Sequence, residues 1–172
     1  PLRPWTILTA HVLVKLALIV GERPPMATLG AQLGLSPSRI HDAIKRAKAA
    51  RLLSEQGDQV RLPNLQEFLI HGFKYAFPAQ RGELTRGVPT SYAAPPLNAV
   101  ITQPDEPPPV WPYAEGSVRG VTLLPLHKNV PAVALHDQRL YEMLALLDAL
   151  REGRARERAF AEQEIQRRLG AR

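Results

Sequence analysis

The 172-residue chain contains no cysteine. Without a thiol it can form no disulfide, no thiolate-ligated zinc site and no cysteine nucleophile. A small secreted domain usually depends on disulfides, so their absence favours a cytoplasmic protein. The chain also lacks an apolar run long enough to cross a bilayer, which takes about 20 residues. Its longest run, Ile7 to Val20, is shorter and is interrupted by Thr9, His11 and Lys15, so we expect no membrane partner.

The sequence also lacks the motifs of an enzyme active site. It has no clustered acid and base pair, no nucleophile next to a base and no metal-ligand spacing. Glu67 and His71 lie four residues apart, but no further ligand follows at a metal-site spacing, so we interpret them as a solvated pair. We therefore predict that the chain is not an enzyme, with no catalytic residue, no cofactor and no metal.

Positive charge is concentrated in one half of the chain. Residues 1–92 contain twelve lysines and arginines against six acidic residues, whereas residues 93–172 contain ten of each. The whole formal net charge of +6 therefore belongs to the first half. Such a distribution predicts that this half binds a polyanion, although a small positive excess is also common among soluble proteins.

Within that half, Met26 to Arg51 reads as two helices joined by a tight turn. A short helix over Met26–Leu33 precedes Gly34, which suits the positive φ that ends a helix. Ser36 is then predicted to cap the next helix, with Pro37 in its first turn. That helix shows apolar residues at helical spacing, which predict one buried stripe: Ile40, Ala43, Ile44 and Ala47.

The opposite face of the second helix is polar and basic, as a helix that enters the major groove requires. The start of such a helix points at the bases, so we predict that Ser36, Ser38, Arg39 and Asp42 read base edges. Side chains further along are predicted to hold phosphates. The complete set of candidate DNA-binding residues on this helix is Ser36, Ser38, Arg39, His41, Asp42, Lys45, Arg46 and Lys48. The alternative is an ordinary amphipathic helix with a solvated charged face.

A short β hairpin is predicted after this helix, with strands at 52–54 and 59–62 and the loop Glu55–Asp58. Its main cation, Arg61, could rest on phosphates or reach toward the minor groove. Asn64 and Glu67 are predicted to form a capping box at the start of a further helix, which would end near Phe77. Two helices followed by a hairpin is the element order of a winged helix-turn-helix.

Residues 26–62 resemble the winged-helix transcriptional regulators of the MarR-like and related bacterial groups. The resemblance rests on the two-turn helix, on Gly34-Leu35-Ser36, on the helix start Pro37-Ser38-Arg39-Ile40 and on Ala50-Arg51-Leu52-Leu53 before the wing. It implies a sequence-specific, dimeric DNA-binding protein, most simply a repressor. The wing is shorter than the long basic wing of typical MarR proteins.

Residues 79–117 are predicted to form an irregular connection. Arg81 and Arg86 lie in a glycine-containing stretch that is interpreted as a loop; they suit either DNA contact or ion pairs within the protein. Eight of the 24 residues from Pro89 to Pro112 are proline. They predict a linker or, because apolar residues are interspersed, an ordered arm that packs on its own domain or on a partner subunit.

Residues 118–172 are predicted to form a strand, a helix after Asp137 with a heptad-like leucine stripe, and a charged last helix. The tail LLDALREGRARERAFAEQEIQRRL, residues 146–169, is similar to tails of winged-helix proteins that are paired with nucleotidyltransferase-type toxins. This similarity implies an alternative function, an antitoxin-like autoregulator that masks a partner protein.

The sequence thus predicts a mainly α protein with a small β hairpin. Its expected parts are a winged helix-turn-helix domain over 1–78, the loop and arm over 79–117, and a strand and helices over 118–172 for dimerisation or partner binding. The expected partners are double-stranded DNA, a second copy of the chain and a possible toxin.

Overall fold

A computed structural model describes residues 6–57 and 59–170 of the chain. The protein is mainly helical with a small three-stranded sheet. Pro4, Trp5 and Asp58, which the sequence predicted to flank the first helix and to close the hairpin loop, lie outside the described residues. The helices are α1 Ile7–Leu18, α2 Met26–Leu33, α3 Pro37–Ala49, α4 Leu62–Glu67, α5 Phe73–Ala76, α6 Val130–Ala134, α7 Gln138–Glu152 and α8 Ala155–Gly170, and the strands are β1 Arg81–Pro89, β2 Pro109–Pro112 and β3 Val118–Leu123.

Helix α1 lies between α3 on one side and α7 on the other. This position explains why its sequence is apolar nearly all round, because both faces are buried within one chain. Lys15 near its end pairs with Asp137 before α7, with Nζ and Oδ2 2.6 Å apart. Thr6 stands at the N-cap position, but its hydroxyl contacts the Thr9 hydroxyl and not a backbone N–H. The second face of α1 therefore does not require another copy of the chain.

Helix α4 begins at Leu62, so the predicted capping box at Asn64 and Glu67 is wrong. Pro63 occupies the first turn of the helix, where the missing N–H costs nothing. The Asn64 amide instead donates to the carbonyl oxygen of Arg51 at 2.8 Å. The helix continues through one π-helical turn over Phe68–Gly72 into α5, and its phenylalanines form a cluster of edge-on ring contacts: Phe68, Phe73 and Phe77.

The predicted loop around Arg81 and Arg86 is a strand, which corrects the sequence interpretation. Strand β1 pairs antiparallel with both β2 and β3, and these two pair parallel with each other, so the three strands form a closed barrel. A Cβ on Gly87 would collide with the carbonyl oxygen of Trp111, and one on Gly120 with that of Pro108. These glycines therefore permit close backbone approach in a small barrel and do not supply loop flexibility.

The proline-rich segment between β1 and β2 packs on its own chain. Two short 3₁₀ turns, Ser91–Ala93 and Leu97–Ala99, interrupt it and contact α7 and α8 respectively. Tyr92 and Leu97 are buried in these contacts. The apolar residues among the prolines thus join the core.

A buried carboxylate connects the sheet to the helices. The Oδ2 atom of Asp148 on α7 accepts hydrogen bonds from the Thr90 hydroxyl and the Trp111 indole N–H, both at 2.7 Å. Its Oδ1 atom accepts one from Arg151 Nη1 at 2.9 Å. Arg151 also donates through Nε to the Phe77 carbonyl at 2.8 Å and through Nη2 to that of Pro78 at 3.2 Å. We call these four side chains, Thr90, Trp111, Asp148 and Arg151, the Asp148 cluster.

The last two helices pack on each other. Asp137 caps α7 as predicted, since its Oδ1 accepts from the backbone N–H of Leu140 at 3.1 Å. The leucine stripe of α7 is buried within the chain. The spacing of Ala155, Ala159, Ile165 and Leu169 in the sequence predicts an apolar face on α8. This prediction is partly wrong, because Ala155 and Ala159 are exposed and the buried residues are Glu157, Ala161, Ile165 and Leu169. No helix of the described residues is long and apolar enough to cross a membrane.

Asp148 makes stability depend on pH in a defined direction. Burial raises the pKa of its carboxyl from 3.8 to about 6, against the opposing influence of Arg151, Thr90 and Trp111. The folded state therefore holds the proton more tightly than the unfolded state, and the Asp148 contribution to the free energy of unfolding falls as the pH rises from 3.8 to about 6. In urea titrations, Asp148→Asn should remove this fall, whereas Asp105→Asn, at an exposed site, should keep it. Equal pH profiles for all three proteins would contradict the assignment.

His11 on α1 should have the opposite effect. It is fully buried, neither ring nitrogen has a hydrogen-bond partner within the described residues, and burial lowers its pKa from 6.5 to about 3. Its contribution to stability is therefore present above pH 6.5 and lost as the pH falls. Because unsatisfied buried polar groups cost about 1–3 kcal/mol, His11→Leu should stabilise the fold, and more at pH 5 than at pH 7. His136→Leu, at an exposed site, is the control; a destabilised His11→Leu protein at pH 5 would refute this account.

Candidate nucleic-acid interface

Helices α2 and α3 are joined by the turn that the sequence predicted. Gly34 has a φ of 63° and ends α2 in the left-handed conformation. Leu35 is buried beneath the turn, and its N–H donates to the carbonyl of Gly30 at 2.8 Å. Ser36 stands at the N-cap position of α3 and Pro37 in its first turn. The Ser36 hydroxyl, however, contacts the Ser38 hydroxyl at 3.1 Å and makes no capping bond to the backbone.

Helix α3 separates buried and exposed residues as its periodicity predicted. The four residues of the stripe, Ile40, Ala43, Ile44 and Ala47, are its buried residues. The start of its outer face is exposed: Ser36, Ser38, Arg39, His41, Asp42 and Lys45. Within the part of the chain that the structure describes, no ion pair engages any of these side chains. The outer face therefore presents cations without an ion pair among the described residues, and two serine hydroxyls that contact each other, next to a helix N-terminus.

The basic side chains at the end of α3 are less exposed than those at its start. Arg46 and Lys48 are half-buried. The stem of Lys48 passes over Gly57 in the hairpin loop so closely that a Cβ there would collide with it. Arg23, before α2, donates to the carbonyl oxygen of Gly57. Lys48 therefore packs on the hairpin, and its role differs from that of the exposed residues at the helix start.

The hairpin is minimal. A single antiparallel bridge joins Leu53 to Val60, in place of the two short strands that the sequence predicted. The Ser54 N–H donates to the Gln59 carbonyl at 2.8 Å, and the Ser54 hydroxyl accepts from the N–H groups of Gly57 and Gln59 at 3.2 Å. Arg61 follows directly, exposed, with its N–H bonded to the Leu52 carbonyl at 2.9 Å. The loop is thus closed by one serine, and Arg61 at its base forms no ion pair with any residue that the structure describes.

Arg81 and Arg86 are not brought to α3 by a loop. Arg81 Nε lies 2.7 Å from Glu152 Oε2 at the end of α7, so the arginine ties β1 to that helix. Arg86 lies directly opposite Arg119 across β1 and β3, and both are exposed. The ion-pair alternative therefore describes Arg81, whereas Arg86 is one of two like charges that face each other on the barrel surface.

A segment far along the chain reaches the turn before α3, a contact that the sequence analysis did not predict. The Asn129 side-chain amide donates to the Gly34 carbonyl oxygen at 2.6 Å. The Asn129 backbone N–H donates to His127 Nδ1 at 3.2 Å, and the His127 ring lies 6.4 Å from that of His11. Burial, with the nearby charges of Arg39 and Lys128, lowers the pKa of His127. Residues 127–129 therefore border the start of α3, although no periodicity or motif could have indicated a contact across 95 positions.

Neither a metal-binding group nor a similarity to known proteins adds an indication of function. No group of three or more histidine, cysteine, aspartate or glutamate side chains within residues 6–57 and 59–170 could hold a metal ion. No family model, no curated protein and no solved structure matches this chain.

Proposed function

We propose that this chain is a DNA-binding protein of the winged helix-turn-helix type, a transcriptional regulator that inserts the start of α3 into the major groove. The observation that carries the proposal is the unpaired, exposed face of α3, described above. Hydroxyl and guanidinium groups at a helix N-terminus can donate to base edges and phosphates. The hydrophobic stripe behind them holds the helix on α1, so the reading face is presented from a rigid support.

The electrostatics of the chain agree with this function. All of the net positive charge belongs to residues 1–92, and the exposed cations Arg39, Lys45 and Arg61 stand without ion pairs in the described parts of that half. A patch of one sign steers a polyanion and supplies the sequence-independent part of its affinity. The short hairpin restricts wing contacts, so specificity should come mainly from the first turns of α3.

Pairing of two copies stays a prediction that the family resemblance implies, and two apolar surfaces that could have served it are covered. Helix α1 and the leucine stripe of α7 are buried within a single chain. Masking of a toxin by residues 118–172 also stays a prediction. A partner there would meet the charged outer face of α8, because the larger apolar residues Ile165 and Leu169 are buried within the chain.

Arg39→Ala should weaken specific DNA binding by about 1–3 kcal/mol, or about 5- to 150-fold in Kd, if the guanidinium reads a base. A preferred sequence is first selected from a random duplex library with the purified protein. Binding of the selected duplex is then measured for both proteins by fluorescence anisotropy at fixed salt. A second selection with the variant should relax the preference at one base position.

Arg167→Ala is the matched control, because it removes the same charge from an exposed site on α8. It should leave the selected sequence and its Kd within about twofold, as expected for an exposed ion pair. If no sequence is enriched by the wild-type chain, the sequence-specific function is refuted. If both variants weaken binding equally, Arg39 contributes only charge.

A further inference from the structure

The loop before α6 contributes a second set of contacts to the candidate interface. We propose that Lys128 contacts a DNA phosphate beside the start of α3, and that Asn129 is the residue that positions it. This proposal rests on the proposed function of α3 and extends the interface to the half of the chain that carries no net charge. The sequence assigned residues 118–172 to dimerisation or partner binding.

The loop before α6 is held against the turn, α1 and α2, and it is also ordered by a bond of its own. The Asn129 side-chain amide donates to the Gly34 carbonyl oxygen at 2.6 Å, which attaches the loop to the turn itself. The Asn129 backbone N–H donates to His127 Nδ1 at 3.2 Å, and this bond orders the loop internally. His127 packs beside the buried ring of His11, with centroids 6.4 Å apart. Helix α6, which begins at Val130, also packs on α2. Lys128 stands between two anchored residues, so its backbone position is determined by the turn.

The side chain of Lys128 is available for an anion. It is exposed, and no carboxylate pairs with it among the ion pairs of the described residues. Arg39 and Lys128 both lower the pKa of His127 by their charge, so both cations lie near this ring. An ammonium on a flexible four-carbon stem suits a phosphate oxygen, whereas the planar guanidinium of Arg39 suits a base edge.

The geometry agrees with how such a unit meets DNA. The recognition helix points its N-terminus into the major groove, so the preceding turn comes close to the sugar-phosphate backbone at the groove edge. A cation carried by that turn would contact phosphate and not a base. Lys128 should accordingly strengthen binding to every sequence alike, which distinguishes its contribution from that of Arg39.

Lys128→Ala tests the proposal in the full-length protein. Each phosphate contact contributes about 0.9 to the slope of log K against log salt, so the slope should become shallower by about 1, while the sequence selected from the random library stays the same. Lys74→Ala, which removes a lysine that lies over the Tyr75 ring on α5, should leave the slope unchanged. Lys128→Arg should preserve the wild-type slope, because it keeps the charge.

The outcomes separate this inference from the function on which it rests. If the wild-type chain selects a sequence and Arg39→Ala disrupts it, but Lys128→Ala keeps the wild-type slope, the phosphate contact is refuted and the function stands. If the wild-type chain selects no DNA, the function and the contact fall together. Asn129→Ala should make the slope of log K against log salt as shallow as Lys128→Ala does, although Lys128 is still present. An unchanged slope would refute the positioning role of Asn129.

Discussion

The Asp148 carboxylate connects parts of the fold that are distant in sequence. It accepts bonds from the residue after β1, from β2 and from its own helix, and Arg151 extends the connection to the end of the α4–α5 helix. A buried charge is stable only when donors replace its hydration, and here both oxygens are used. Removing any one donor would leave the carboxylate short of a partner in a dry site. The Asp148 carboxylate is therefore the buried link between the sheet and the helical layer, beside the Arg81–Glu152 ion pair between β1 and α7.

The hydrogen bonds of Asp148 also bear on the candidate interface, because Asp148 lies on α7. Helix α7 supports α1, and α1 supports α3, so the outer face of α3 stands on a layer that the C-terminal half completes. The same half provides Asn129 at the turn. The N-terminal helices are therefore packed against the C-terminal half of the chain. The chain is better understood as one packed unit. Its C-terminal half, whose positive and negative charges balance, stabilises the N-terminal surface that carries the net positive charge.

Local signals in the sequence were sufficient where the structure depends on neighbouring residues. Four features depend only on backbone geometry and residue spacing within a turn or two: the left-handed Gly34, Pro37 in the first turn of α3, the stripe that begins at Ile40 and the cap at Asp137. The strand β1 was missed because its arginines and glycines show no alternation of apolar residues; closure of the barrel, and not side-chain pattern, stabilises it. The contacts of Asn129 and Asp148 cross long separations and leave no periodicity, so no reading of one sequence could have found them.

The barrel has a consequence for how copies of this chain could associate. Each of its three strands is bonded to the other two over part of its length, so none is a lateral strand with a fully open row of peptide groups. A sheet extended from one molecule into the next is thereby disfavoured within the described residues. Any symmetric assembly would have to be made through side chains, and the facing Arg86 and Arg119 would repel their counterparts unless an acidic surface met them.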